Sequence, residues 1–270
     1  SFGTLKSFAS TALPLTGSNA LGWINVAAAP VLVGTYAGTR ELGLLQLAYT
    51  MVLYPQILTT IVARVALPVY ARLTDRGLLL RTVDESTSAG LKYLAALTLA
   101  IAASGPLWVP VLYGPEWVGM VPIMFSVAPA LGLSMSLASV IAALNATGRV
   151  GQTLLVTLLF SVLYWAVGAT LVPHFGAIGL ALSQSLATVA YAAFLFLYRR
   201  AIGPLSVRGA LVYYTILCAI ACVSAAWSAT GAGTIAEVTG AAAICALVLY
   251  GVDLRTVRGW LGVAAESSPR

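Results

Sequence analysis

The chain has 270 residues, 60% of them hydrophobic and 8% charged, with a net charge of +6 and a mean hydropathy of +0.96. Soluble domains are about 45–50% apolar and about 25% charged. The composition excludes a soluble fold, a disordered tail and a DNA-binding module, and predicts an all-α, polytopic integral membrane protein.

Asp, Glu, Lys and Arg are absent from 7–39, 42–63, 93–115, 117–148, 150–198 and 209–236. About 20 apolar residues cross the roughly 30 Å hydrocarbon core. Breakers divide these runs into about eight predicted transmembrane helices, near 8–35, 42–70, 91–113, 118–145, 151–172, 177–198, 209–229 and 233–252. The 150–198 run is too long for one span, and Pro173-His174-Phe175-Gly176 supplies a turn in its middle. Thr230-Gly231-Ala232-Gly233 splits the last run in the same way. The mixed-sign segment from Arg72 to Lys92 reads as a solvated connector beside the headgroups, extending the second helix and leading into the third.

With the N-terminus inside, thirteen of the fourteen Lys and Arg residues fall on the inner side, leaving only Arg40 outside. The positive-inside rule then predicts that both termini are cytoplasmic and that the protein sits in the cytoplasmic membrane. Topology accounts for the positive charge, so nucleic acid is not an expected partner.

Polar residues inside such spans are the informative ones, because burying an unmatched hydrogen-bonding group is costly. On the second helix Gln46, Tyr49, Leu53, Gln56, Thr60 and Arg64 share one stripe. This stripe reads either as a cavity lining with a cation near its inner end, or as interhelical hydrogen bonding with Arg64 snorkelling to the surface. Thr11, Ser18, Gly22, Asn25 and Ala29 form a weaker stripe on the first helix, best read as close helix packing. Gln184, Thr188 and Tyr191 align on the sixth helix. Thr153, Thr157, Ser161 and Tyr164 align on the fifth, where hydroxyls can bond their own helix carbonyls and so say little.

Catalytic patterns are missing from the sequence. No two carboxylates share a span, the lone His174 sits in a short outer turn, and Cys218, Cys222 and Cys245 show no CxxC spacing. The expectation is a protein that is not an enzyme and has neither cofactor nor metal site.

Glu41-Leu-Gly-Leu-Leu-Gln-Leu-Ala-Tyr49, followed by Ala63-Arg64-Val-Ala-Leu-Pro68-Val-Tyr-Ala-Arg72, resembles the polysaccharide-transporter branch of the multidrug/oligosaccharidyl-lipid/polysaccharide flippase superfamily. Tyr113-Gly114-Pro-Glu116-Trp117 and Leu144-Asn-Ala-Thr-Gly148-Arg149 resemble that family's outer loop and inner turn. The resemblance implies a transporter of two six-helix lobes around a central cavity. Residues 1–200 would be the second lobe, 201–252 two extra C-terminal helices and 253–270 a cytoplasmic tail. A missing N-terminal lobe of the same protein is therefore expected to precede Ser1.

It further implies flipping of a lipid-linked oligosaccharide by alternating access, with that substrate and membrane lipid as partners. Arg64 is the expected contact for the lipid pyrophosphate. Gln46, Tyr49, Gln56, Thr60, Asn25 and Gln184 are the residues expected to line the substrate cavity. The alternatives are a cation-coupled drug antiporter of the same fold and, less favoured, a membrane glycan polymerase or ligase.

Overall fold

Backbone surrounded by lipid must satisfy its own hydrogen bonds, and every regular element among the described residues is helical. The computed structural model describes residues 2–57, 70 and 75–228, with side chains over 12–57, 70, 75–207 and 209–219. Helix α1 (Phe2–Ala28) passes into a π turn at Ala29–Val33, where Pro30 contributes no N–H to the helical ladder. Gly38, with φ of 86°, opens α2 (Gly38–Leu53). The second predicted helix is interrupted at Tyr54-Pro55, where the bonds shorten to Tyr54 N–H on Met51 and Ile57 N–H on Tyr54. Residues 58–69 lie outside the described residues.

Asp75 is extended and its carboxylate accepts from the Gly77 N–H at 2.8 Å, which caps α3 (Arg76–Ala89). A π turn at Gly90–Leu94 carries the helix into α4 (Ala95–Leu112). Of the expectation for 72–92, the lead into the third span is found from Arg76 onward, the solvated connector is corrected, and 71–74 lie outside the described residues. Residues 76–89 start a new helix that extends the third predicted span, and they are docked on the bundle. Leu79, Val83 and Thr87, four residues apart, are buried. Arg76 Nε donates to the Ile202 carbonyl at 2.7 Å, and Asp84 accepts from the Ser206 N–H at 3.1 Å. Arg76, Arg81, Asp84 and Glu85 sit off that buried face.

The fourth predicted span is two helices, α5 (Met120–Ser136) and α6 (Ala138–Ala146), bent at Leu137. Helix α7 (Val150–Ala187) breaks at Gly176, with φ of 56° and ψ of −135°. A Cβ on Gly179 would lie 2.6 Å from the Leu171 carbonyl oxygen. Eight residues of straight helix would separate these groups by about 12 Å, so the chain has doubled back as a hairpin at the predicted turn. A 3-10 turn leads to α8 (Tyr191–Ala201), and α9 (Arg208–Ser228) follows.

Three helical stretches among the described residues, Arg76–Leu112, Met120–Ala146 and Val150–Ala201, are long and apolar enough to cross a membrane, the last of them folded as the hairpin at Gly176. Trp23, Leu155, Val162, Phe196 and Val212 are exposed, as side chains facing lipid would be. The predicted eighth span, Glu237, Cys245 and the tail from 253 lie outside the described residues.

Two sets of contacts fix the relative directions of the helices. The α3–α4 helix runs antiparallel to α5, with Gly90 against Ser136, Ala95 against Gly132 and Gly105 against Met124. The α1–α2 hairpin instead lies parallel to the α7 hairpin. Asn25 meets Ser161, Glu41 meets Ala177 and Tyr49 meets Gln184, at separations of 136, 136 and 135 residues. Helix α9 adds Ala210, Tyr214 and Leu217 to the same core, and the Tyr214 hydroxyl donates to the Pro129 carbonyl.

Candidate functional site: a cavity between two parallel hairpins

Helix α2 buries Leu44, Leu45, Ala48 and Val52 and leaves Gln46, Tyr49 and Thr50 on another face. The polar face borders a cavity of ≈ 350 Å³ between the hairpins. Asn25 from α1, Gln46 and Tyr49 from α2, Gln56 beyond its break and Gln184 from α7 all line it, beside the rings of Phe160 and Tyr164. The structure therefore brings five of the sequence-predicted residues to one space. Thr60 and Arg64 lie outside the described residues.

Two cross-hairpin bonds organise the wall. The Tyr49 hydroxyl donates to Gln184 Oε1 at 2.5 Å. Asn25 Nδ2 donates to Ser161 Oγ at 3.0 Å. Ser161 gives its own proton to the Thr157 carbonyl at 2.8 Å, so towards Asn25 its oxygen acts only as acceptor. That assigns the Asn25 amide: nitrogen towards Ser161, Oδ1 away from it. Oδ1 is buried and has no hydrogen-bond partner among the described residues, an arrangement that costs about 1–3 kcal/mol.

A second cavity of ≈ 240 Å³ lies along the same hairpin. Ser18, Asn19, Asn145, Thr153 and Thr157 supply its polar lining, and Thr153 Oγ1 donates to Asn145 Oδ1 at 2.9 Å. Phe160 borders both cavities. Its ring stacks on Tyr191 with centroids 5.3 Å apart and on Tyr164 at 5.9 Å. No Lys, Arg, Asp or Glu among the described residues lines either space.

Two readings of the sequence need revision. The first-helix stripe is not uniform close packing: a Cβ on Gly22 would meet nothing within 4 Å, while Asn25 and Ala29 border the larger cavity. The fifth-helix stripe carries more than self-bonded hydroxyls. Thr157 and Ser161 do donate to carbonyls one turn back, but a hydroxyl oxygen keeps lone pairs, and Ser161 uses one for Asn25. Phe160 had no sequence signal beyond being aromatic. Gln184 and Tyr191, aligned in sequence, border different cavities. Glu41 accepts from the Ala177 N–H at 3.4 Å, where the second arm of α7 begins.

Residues 1–122 match the family described as polysaccharide biosynthesis protein. The matched segment bears that family's signature, in keeping with the resemblance to polysaccharide transporters. It carries α1 to α4, and so includes Asn25, Gln46, Tyr49 and Gln56. No curated protein and no solved structure matches the chain. The match covers less than half of the chain, and the long apolar helices are those of a membrane protein.

Proposed function

We propose that the protein is a flippase of the cytoplasmic membrane that moves a lipid-linked oligosaccharide by alternating access, with no chemical step of its own. The observation that carries this reading is the larger cavity. Its lining of amides and hydroxyls, with two aromatic rings, matches the hydrogen-bonding and apolar faces of a sugar. Five of its polar residues come from the segment that matches the polysaccharide family.

In this reading Arg64, on the polar stripe read from the sequence, meets the lipid pyrophosphate, and the expected N-terminal lobe closes the cavity from the other side. The Asn25–Ser161 and Tyr49–Gln184 bonds hold the hairpins together when the cavity is empty and can be exchanged for bonds to a sugar. Both termini are cytoplasmic. The test is complementation of a flippase-null strain by the full-length protein, with expression measured in parallel. Arg64→Ala should lose most surface glycan and Arg64→Lys should keep part of it, because Lys retains the charge without the planar fork. Failure of the wild type to restore glycan, with export of a cationic drug instead, would replace the flippase by the antiporter. Normal glycan in Arg64→Ala would remove the pyrophosphate role from that residue.

A further inference from the structure

Resting on the flippase reading, we infer that the glycan passes through both cavities in sequence and that Phe160 is the partition between them. The smaller cavity is then a second sugar site, and the Phe160 ring limits the width of glycan that moves on from it. The two spaces lie end to end along the same helices. Asn19 borders the smaller and Asn25 the larger, about 9 Å further along α1. Thr153 and Tyr164 keep that order on the first arm of α7. On the returning arm it reverses, with Gln184 at the larger cavity and Tyr191 at the smaller. The smaller cavity lies towards Arg149 and Arg199-Arg200, the end assigned to the cytoplasm, so a glycan entering from that side meets it first.

Among the described residues, Phe160 is the one side chain that borders both spaces. Its ring is held by two neighbours, with Tyr191 4° and Tyr164 19° from parallel to it. Tyr191 belongs to the smaller wall and Tyr164 to the larger, so a sugar moving between the cavities has to displace the ring that joins them. Both linings suit the same ligand. The Ser18 and Thr157 hydroxyls donate to their own helices and still accept, while the Asn145 amide, its oxygen engaged by Thr153, donates. Volumes of ≈ 240 and ≈ 350 Å³ are small beside the roughly 300–1,000 Å³ of small-molecule sites, so an oligosaccharide has to extend over both.

The experiment uses the full-length protein in proteoliposomes and two polyprenyl-pyrophosphate probes, a linear trisaccharide and the same trisaccharide with one branching hexose. The linear probe should cross at least tenfold faster. Phe160→Ala should narrow that ratio at least threefold by speeding the branched probe. Phe160→Leu, closer in volume, should act in the same direction and serves if the Ala variant inserts poorly. Asn19 is an exposed position on the wall of the smaller cavity, so Asn19→Trp should fold and should slow both probes at least tenfold by filling that space. Equal rates for the two probes, or a ratio that neither Phe160 variant moves, would overturn the partition while leaving the flippase reading intact. Normal transport by Asn19→Trp at equal insertion would take the smaller cavity out of the path and overturn the inference. Movement of neither probe by the wild type would refute the flippase reading and this inference with it.

Discussion

The seam between α3–α4 and α5 is built from small residues, whereas the seam between the two parallel hairpins is built from amides and hydroxyls. At the first, Gly90 and Gly132 let backbones approach until a Cβ would lie 2.9 and 3.0 Å from the facing Cα atoms. At the second, Asn25–Ser161 and Tyr49–Gln184 bridge walls that part around two cavities. Lipid tails are as apolar as leucine, so helices in a bilayer associate through close van der Waals packing or through polar pairs. Close packing is lost outright when a seam opens. A polar pair can be exchanged for bonds to water or to a ligand. The difference teaches that one part of this bundle is suited to holding together and the other to opening.

The largest effect should come from breaking the tight seam. Gly132→Val places a branched Cβ against the backbone of Ala95 and should destabilise the protein by about 3 kcal/mol through overpacking. Thermal unfolding in detergent would measure it, and an unchanged midpoint would mean that the seam is looser than drawn. Next comes the α7 turn. Gly176→Ala forces a side chain onto φ of 56° with ψ of −135°, and strain of about 1–3 kcal/mol is expected in the same measurement.

The polar seam should respond in the opposite manner, with small losses of stability and large losses of transport. A double-mutant cycle of Tyr49→Phe and Gln184→Leu should give a coupling of about 0.6 kcal/mol, typical of hydrogen bonds between membrane helices. Glycan export should fall severalfold in each single variant at equal expression. A large stability loss with normal export would make the pair a structural tie. The smallest effect is expected for Ser161→Ala. It removes the acceptor that orients the Asn25 amide and should cost about 0.5 kcal/mol by denaturant unfolding, the low end for a hydrogen bond.

The parts of this arrangement legible in sequence were those set by local chemistry. Pro173 to Gly176 announced a turn, since Pro cannot continue a hydrogen-bonded ladder and Gly accepts the φ found there. Gln46, Tyr49 and Gln56 announced a polar face, since their spacing follows the turn of a helix. Asp75 was harder to read. Its capping role was masked by the other charges of 72–92, whose mixed signs suggested a solvated connector although Leu79, Val83 and Thr87 are spaced to bury one face.

The sequence by itself therefore determined the helical membrane character, the site of the hairpin turn and the existence of polar stripes. Each follows from neighbours in the chain: an apolar run must satisfy its backbone within a helix, and helical period assigns each side chain a face. Only the tertiary structure decided which stripes confront each other. Helical period says nothing about what a face will meet, and the contacts joining the two hairpins span 135 and 136 residues. For the same reason Ser161 could be read as satisfied by its own helix until Asn25 was found on its remaining lone pair. Phe160 became the shared wall of two cavities only when α7 folded beside α1.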